Sequence, residues 1–304
     1  MFKPKGIIPP VITPFTEDEQ VNYPVFRQMI NHLIDEGVHG IFTMGTCGEF
    51  YAVNDVDYGK ILEETVAAAE EYATAHGTAR VDVYAGANGI TTKSVIEKIR
   101  ICEKVPGIDA LSVLTPMFIN QTQDELYEHF KRIAGETDMP IIVYNNKPKT
   151  NIHVEATTMA RLAEIPNIIG IKDSTGDMTN AIDYLRLTKG MPDFSVIMGR
   201  DTLIYTSLAC GAVGSISSCA NVAPRLISDI YDKYVAGDTE GALAAQMAIV
   251  PLRFACNMGS FPAVIKESLV QQGFPVCKCM APIAELTPAE KEKLHKILEE
   301  MNVL

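Results

Sequence analysis

A single lysine stands near the end of an apolar run in the stretch NIIGIKDSTGD, residues 167–177. Burial of Lys172 would remove the solvation of its ammonium group and leave a larger fraction as the neutral amine. A neutral amine adds to the carbonyl of a keto acid, and the protonated imine that results stabilises a carbanion at the neighbouring carbon. An ordinary ion pair with Asp173 or Asp177 is the alternative. Spacing alone leaves both interpretations open.

Two further segments carry groups suited to such a reaction. Tyr144 ends the apolar run PIIVYNN and, with a hydrogen-bond relay, can move a proton to and from the imine carbon or a leaving hydroxyl. The turn MGTCGE, residues 44–49, offers backbone N–H groups and the Thr46 hydroxyl to a carboxylate. Buried tyrosines and glycine turns are common without any catalytic role, so neither signal is strong by itself.

Eight short apolar runs recur along the chain, and each is followed by a segment with helical periodicity. They cover residues 6–13, 37–45, 81–86, 109–116, 140–146, 167–173, 194–199 and 211–217. Their apolar residues are continuous more than alternating, which is typical of parallel strands covered on both faces. Eight strand-then-helix units favour a closed (β/α)8 TIM barrel over an open doubly wound sheet. In such a barrel the chemistry lies at the carboxyl ends of the strands.

The remainder of the chain is predicted to be helical. We expect residues 1–237 to form the barrel domain and residues 238–304 to form a C-terminal helical extension packed on it. Single helices are predicted over residues 239–255, 261–272 and 287–301. In the last of these Thr287 is the predicted cap and Glu290 completes the capping box.

Composition excludes several classes of partner. The chain has 26 basic and 38 acidic side chains and a net charge of −12, with no dense basic run, so binding to nucleic acid is disfavoured. Neither a signal peptide nor a membrane-spanning stretch is visible, and we expect a cytoplasmic protein. The seven cysteines are scattered, and CKC at 277–279 lacks a second pair at ligand spacing, which predicts reduced thiols and no metal site. His129 and His295 fall on predicted helices and are expected to be surface residues.

A set of motifs in a fixed order points to a known family. The set is GTCGEF, YNNKPKT and GIKDSTGD, followed by GRD, GAVGSISSCANVAP and a helical tail. Over its whole length the chain resembles the dihydrodipicolinate synthase and N-acetylneuraminate lyase family. The resemblance implies a pyruvate-dependent lyase or aldolase in which Lys172 forms a Schiff base with pyruvate and Tyr144 moves protons at the adduct. Thr46 and Cys47 match two positions, usually threonine or serine, that hold the pyruvate carboxylate.

The resemblance has further implications for substrate and assembly. Gly199 and Ile216 match positions that face the same pocket, mainly through backbone groups. In the synthases a tyrosine from the partner subunit, in a loop reading roughly TPYYN, completes a proton relay, and Phe118 of TPMFIN matches that position without a hydroxyl. The synthases also have an arginine shortly after the catalytic tyrosine that binds the carboxylate of the aldehyde substrate, and Lys149 matches its position. The resemblance also implies no metal or organic cofactor and a homotetramer built from tight dimers.

Several functions remain open. The altered loop fits an aldolase acting on a 2-keto-3-deoxy sugar acid at least as well as the lysine-pathway condensation of pyruvate with aspartate semialdehyde. A sugar-phosphate aldolase ranks lower, because Arg200 is the only obvious cation after strands seven and eight. A keto-acid-binding regulatory protein that has lost turnover is the alternative from another class, with Cys47 and Phe118 as its marks.

Overall fold

Every predicted apolar run contains a parallel strand in the computed structural model, which describes residues 2–276 and 278–304. The strands are β1 (Gly6–Ile7), β2 (Gly40–Thr43), β3 (Asp82–Gly86), β4 (Ala110–Leu114), β5 (Ile141–Asn145), β6 (Ile168–Asp173), β7 (Ser195–Met198) and β8 (Gly214–Ser215). Their hydrogen-bonded order is β1-β8-β7-β6-β5-β4-β3-β2. Val11 N donates to Phe42 O at 2.8 Å and brings the chain after β1 against β2. The predicted (β/α)8 barrel is therefore confirmed.

Helices cover the outside of the barrel and form the C-terminal extension. They are α1 (Tyr23–Asp35), α2 (Asp55–His76), α3 (Thr92–Cys102), α4 (Gln123–Ala134), α5 (Lys147–Thr150), α6 (Ala156–Leu162), α7 (Met178–Leu187), α8 (Ile204–Cys210), α9 (Pro224–Val235), α10 (Thr239–Ala248), α11 (Val250–Ala255), α12 (Ala263–Gln271) and α13 (Pro288–Glu300). The predicted capping box of Thr287 and Glu290 at the start of α13 is present. Within the described ranges, no helix is both long and apolar enough to span a bilayer.

The single helix predicted over residues 239–255 is wrong. The chain breaks at Ile249, which ends α10 and caps α11. Pro251 lies in the first turn of α11, where its missing N–H cannot continue the hydrogen bonding of α10 and its ring would clash with the carbonyl four residues earlier. Arg253 lies in α11, two residues after Pro251. The state of Cys277, predicted to be a reduced thiol, lies outside the described residues.

The barrel interior is a packed apolar cluster. It consists of Ile8, Phe42, Tyr84, Ala110, Ile142, Ile169, Ile197 and Ile216. Side chains alternate along a strand, so Tyr144 follows Ile142 into the lumen two residues closer to the carboxyl end of β5. Tyr144 is paired in register with Lys172 of the neighbouring strand β6. The fold therefore places these two side chains next to each other on the inner face, at the end of the barrel where chemistry was predicted.

His129 is buried, and the prediction that it is a surface residue is wrong. It lies on α4 with 7% of its surface exposed, and Thr92 Oγ1 lies 2.9 Å from its Nδ1. Its Nε2 is buried without a hydrogen-bond partner among the described residues. Burial lowers the pKa of His129 from 6.5 to about 4, because the charged ring would lose its solvation. His295 is exposed, as predicted.

The burial of His129 predicts a loss of stability in acid. Between pH 6.5 and about pH 4 the unfolded chain binds a proton at this position and the folded chain does not. The contribution of the neutral His129 ring to the free energy of unfolding is therefore fully present above pH 6.5. As the pH falls to about 4, the free energy of unfolding decreases by about 3 kcal/mol in all. Urea denaturation at several pH values should show a shallower acid slope for His129→Gln than for wild type. A matching change in the exposed control His295→Gln would argue against this cause.

Candidate active site

A cavity of about 240 Å³ opens at the carboxyl ends of the strands. It is slightly smaller than the roughly 300–1,000 Å³ of drug-sized ligand pockets and so suits small metabolites. Seven residues predicted from the sequence to form the site line it: Thr46, Cys47, Tyr144, Lys149, Lys172, Gly199 and Ile216. Phe118 does not line it. Residues from five segments far apart in sequence thus meet in one place.

Lys172 is buried at this cavity without a carboxylate partner. Its side chain is 4% exposed, and its Nζ lies 3.9 Å from the ring centroid of Tyr144. Asp173 instead accepts from the backbone N–H and the hydroxyl of Thr175, and Asp177 caps α7. Within residues 2–276 and 278–304, no ion pair to Lys172 is present. The ion-pair alternative left open by the sequence is therefore absent from the structure.

Tyr144 lines the cavity, and its hydroxyl has one polar partner among the described residues. Asn146 donates from Nδ2 to the phenol oxygen at 2.7 Å, and both residues line the cavity. Because that contact uses a lone pair of the phenol, its hydrogen remains available to a ligand. This geometry suits a group that gives and takes a proton beside the amine of Lys172.

The turn after β2 lines the same cavity at Thr46, and its buried hydroxyl has no hydrogen-bond partner among the described residues. The Oγ1 atom of Thr46 is buried and has no hydrogen-bond partner in the described part of the chain. A buried hydroxyl usually has a hydrogen-bond partner in a native protein, so a ligand with an acceptor oxygen would supply the missing partner. Gly45 is required here, because a Cβ would lie 2.6 Å from the ring of Phe42. Glycine at position 45 therefore lets this turn pack directly against the ring of Phe42.

Cys47 follows Thr46 in this turn, and its thiol is unreactive. Its side chain is 2% exposed, and Asn221 Nδ2 lies 3.9 Å from its sulfur. Burial, followed by the neighbouring thiol of Cys256, raises the pKa of Cys47 well above its ordinary value. The thiol stays neutral near pH 7 and is not a nucleophile. Cys47 can thus contribute its backbone N–H without competing with Lys172.

Two predicted site residues lie at or beyond the rim. Lys149 is exposed and lies on α5, with its Nζ 5.5 Å from the ring centroid of Phe261. Phe118 is 88% exposed and has a φ of +82°, a left-handed value that is unusual for an aromatic residue. In a single chain Phe118 is therefore not part of the cavity.

The C-terminal extension supplies residues that the sequence did not suggest. Arg253 of α11, with Cys256, Asn257 and Phe261 after it, lines the cavity. The stretch RFACNMGSF has no strand-end pattern or motif that marks it as a site. The break at Ile249 and the position of α11 after it bring this stretch to the cavity.

Asp201 fastens this extension to the last two strands. Its carboxylate is 2% exposed and accepts from Ser217 Oγ at 2.6 Å and from the backbone N–H of Cys219 at 3.0 Å. Arg253 Nε lies 3.3 Å from the other oxygen. Gln246 of α10 donates to the Asp201 carbonyl at 2.9 Å. The loops after β7 and β8 are thus held in place by one buried acid.

A second buried charge lies behind the turn that contains Thr46. Glu49 is fully buried with a φ of +51°, and Lys266 Nζ of α12 lies 2.6 Å from its Oε1. The other carboxylate oxygen accepts from Met280 N at 2.9 Å. Lys266 also donates to the Lys278 carbonyl at 3.0 Å. The C-terminal extension therefore braces the turn from outside the cavity.

Removing Lys266 is expected to destabilise the fold strongly. Lys266→Met leaves Glu49 as a buried carboxylate without its cation, which costs about 3–5 kcal/mol. The double variant Lys266→Met with Glu49→Gln should recover much of that loss, because no buried charge remains. Chemical denaturation of the two variants measures this difference. Equal stability of the two would contradict the assignment of the cost to the unpaired charge.

The chain is similar to known proteins over nearly its whole length. The model of the dihydrodipicolinate synthetase family matches residues 3–301. The 4-hydroxy-tetrahydrodipicolinate synthase of Moorella thermoacetica is 35% identical over 298 residues, 98% of each chain, and that of Thermodesulfovibrio yellowstonii is 32% identical over 99% of each chain. The solved dihydrodipicolinate synthase from Aquifex aeolicus superposes with a TM-score of 0.90 at 29% identity over 98% of each chain. YagE from E. coli K12, solved with pyruvate, gives 0.91 at 26% identity over 99% of each chain.

Proposed function

The chain belongs to the dihydrodipicolinate synthetase family of pyruvate-dependent lyases, and on this premise we propose that Lys172 forms the Schiff base with pyruvate. The observation that carries the proposal is a buried amine with no carboxylate partner, 3.9 Å from the ring centroid of Tyr144. A lysine kept only for structure would be paired, because an isolated buried charge is costly.

The proposed chemistry begins with addition of Lys172 Nζ to the keto carbon of pyruvate. The keto oxygen leaves as water, and the protonated imine draws electrons from the neighbouring methyl carbon. That carbon gives up a proton, and the resulting enamine adds to the carbonyl carbon of an aldehyde, whose oxygen takes up a proton. Water then hydrolyses the imine and releases the product and the free amine. The same steps in reverse cleave a hydroxylated keto acid to pyruvate and an aldehyde.

Other residues of the cavity have supporting roles in this proposal. Tyr144 moves the protons, because its ring centroid lies 3.9 Å from the amine of Lys172 and its hydrogen bond with Asn146 leaves the phenol hydrogen free. The Thr46 hydroxyl and the backbone N–H of Cys47 bind the pyruvate carboxylate, which satisfies the buried Oγ1 of Thr46. Gly199 and Ile216 shape the pocket, and a Cβ at Gly199 would lie 2.0 Å from Ser174 Oγ. We infer no metal or organic cofactor in these steps, since the imine itself supplies the electron sink.

The test is borohydride reduction in the presence of pyruvate, followed by intact-mass measurement and peptide mapping. We expect one stable adduct, located on Lys172. Absence of the adduct under conditions that label a known imine-forming aldolase would contradict the mechanism. Turnover of pyruvate with an aldehyde separates the enzyme from the alternative of a keto-acid-binding regulatory protein.

The identity of the second substrate divides two enzymatic candidates. Condensation with aspartate semialdehyde is favoured by the names of the curated relatives, which are 4-hydroxy-tetrahydrodipicolinate synthases. An aldolase for a hydroxylated or sugar-derived keto acid is favoured by Phe118, which cannot relay a proton. Rates of pyruvate consumption with aspartate semialdehyde, glyceraldehyde, N-acetylmannosamine and glyoxylate decide between them.

We also propose a homo-oligomer, a tetramer built from dimers, in the cytoplasm. Phe118 and Ile119 are 88% and 62% exposed, and the positive φ of Phe118 costs about 1–3 kcal/mol that a partner contact would offset. In this proposal Phe118 reaches a partner subunit's cavity. Residues 1–237 are the catalytic barrel domain, and residues 238–304 are an extension packed on it. Light scattering should give about four times the chain mass of 33.2 kDa.

A further inference from the structure

A buried hydrogen bond joins β5 and β6 on the face opposite the cavity. Asn145 directly follows Tyr144, and Asp173 directly follows Lys172, so their side chains point away from the lumen, toward the surrounding helices. Asn145 is fully buried and Asp173 is 1% exposed. Asn145 donates from Nδ2 to Asp173 Oδ1 at 3.2 Å. The two residues that follow the Tyr144–Lys172 pair are therefore bonded to each other.

This contact lies where the ladder between the two strands ends. Asn145 and Asp173 are the last pair in register between β5 and β6. Tyr144 and Lys172 are the pair before them. One further backbone bond follows, from Ser174 N to Asn145 O at 2.9 Å. The side-chain bond thus joins the strands at the end where the amine and the phenol must meet.

Other donors fix the Asp173 carboxylate in this position. Its Oδ1 also accepts from the backbone N–H of Thr175 at 3.2 Å. Its Oδ2 accepts from Thr175 Oγ1 at 3.0 Å and from Asn180 Nδ2 of α7 at 3.2 Å. With Asn145, four donors fill a carboxylate that has about four lone-pair sites. The acid is therefore held on the outer face, away from the Lys172 amine.

Asn145 is fixed by a second set of contacts. Its Oδ1 accepts from Val154 N at 3.2 Å, and its Nδ2 also donates to the Tyr184 hydroxyl of α7 at 3.0 Å. Tyr184 in turn donates to Val154 O. His153 Nδ1 lies 3.3 Å from the same Nδ2. These residues do not line the cavity, so the network touches no substrate and acts only on the strands.

Packing alone does not require polar residues on this face. The outward residues two positions earlier, Val143 and Ile171, belong to the apolar core between the barrel and its helices. Burial of an amide and a carboxylate is costly unless each is hydrogen-bonded, as both are here. Hydrogen bonds also depend on distance and angle, so a satisfied network restricts the strand ends more tightly than apolar contacts would.

We propose that Asn145 and Asp173 are positioning residues, whose hydrogen bond fixes the separation between the Tyr144 phenol and the Lys172 amine. The inference rests on the proposed function, in which these two groups exchange protons during imine formation. Such steps require the reacting atoms to lie within about 3–3.5 Å, and a displacement of about 1 Å costs about 10²-fold in rate. Asn145 and Asp173 act through the backbone of the residues that precede them.

The test measures the rate of imine formation in full-length variants. Samples are mixed with pyruvate and reduced with borohydride after increasing times, which gives a maximum rate and a half-saturating pyruvate concentration. Asn145→Asp places two carboxylates against each other and should lower the maximum rate by about 10²-fold. The half-saturating concentration should stay near that of wild type, because the proposed contacts to the pyruvate carboxylate come from Thr46 and Cys47, after β2.

Exchange of the two residues supplies a rescue. The double variant Asn145→Asp with Asp173→Asn again has one donor and one acceptor across the strands, and it should regain about tenfold of the lost rate. Asn145→Ser removes the amide donor without adding a charge and should lose about tenfold. This variant carries the test if Asn145→Asp does not fold, and thermal melting checks folding in every sample.

Asn167→Asp is the matched control, because it makes the same substitution at the opposite end of β6. Asn167 directly precedes β6, and its Nδ2 donates to Ala134 O at 3.0 Å and to Thr137 O at 2.7 Å. The variant should melt at a lower temperature than wild type, since a carboxylate then faces two carbonyl oxygens. Its maximum rate and half-saturating pyruvate concentration should both be those of wild type.

Four results would overturn the inference. They are a wild-type maximum rate in a folded Asn145 variant, a double variant no faster than Asn145→Asp, an equal loss of rate in Asn167→Asp, and a loss confined to the half-saturating pyruvate concentration. The third would mean that general weakening of the strand limits the reaction, and the fourth that the network acts on pyruvate binding.

A crystal structure of the folded Asn145 variant separates this inference from the proposed function. The distance from Lys172 Nζ to the Tyr144 ring centroid is 3.9 Å in the wild-type chain and should increase by about 1 Å. An unchanged distance, when wild type gives the adduct on Lys172, sinks the positioning role alone. An increased distance, when wild type gives no adduct, sinks the Schiff-base mechanism and leaves the positioning role standing.

Discussion

The Lys172→Met variant is expected to lose at least about 10⁴-fold in turnover and to give no borohydride adduct with pyruvate. Methionine fills nearly the same volume but has no amine, so the covalent step cannot begin. The same variant should unfold at a higher temperature, with a gain of about 1 kcal/mol, because a buried amine without a carboxylate partner is removed. Intact-mass measurement, a pyruvate-consumption assay and thermal melting report these three effects.

The stability measurement separates a catalytic lysine from a structural one. If Lys172 were half of an ion pair, its loss would leave a buried carboxylate and destabilise the fold by about 3–5 kcal/mol. A destabilised Lys172→Met would therefore count against our assignment even if activity were lost. Lys189→Met is the matched control, because Lys189 is exposed after α7. That control should keep the adduct, the turnover and the wild-type melting temperature.

The Tyr144→Phe variant is expected to lose about 10²- to 10⁴-fold in turnover. The ring remains beside Lys172, so pyruvate should still be trapped, although more slowly, because proton transfer in imine formation lacks its donor. The Nδ2 of Asn146 also loses its acceptor, which should cost about 1–3 kcal/mol of stability. Single-turnover trapping and steady-state assays of the same samples separate imine formation from the later steps.

The control for this variant is a second buried tyrosine. Tyr84 is also in the barrel lumen, but its ring packs 5.7 Å from that of Phe2 and does not line the cavity. Tyr84→Phe should turn over at a rate close to that of wild type. Comparable losses in the two variants would mean that barrel packing, and not the Tyr144 hydroxyl, limits the reaction.

The eight-stranded barrel was predictable because its signals are local. Continuous apolar runs, each followed by a helical pattern, need no knowledge of distant residues, and all eight runs contain strands. The same holds for Thr287, whose cap is formed with a residue three positions away. Two predictions from local signals were wrong. Apolar periodicity predicted one helix through Pro251, a residue that cannot continue the hydrogen bonding of α10. The position of His129 on its helix did not reveal that the side chain is buried.

By itself the sequence determined the barrel, the motif set that marks the family, and the choice of Lys172, Tyr144 and Thr46. These are properties of residue type and order, and the carboxyl ends of parallel strands meet at one end of a barrel whatever the side chains are. Only the tertiary structure decided that Lys172 has no acidic partner among the described residues and that Arg253 of the C-terminal extension lines the same cavity. Such facts depend on distances between residues remote in sequence, which are set by side-chain packing in the folded chain.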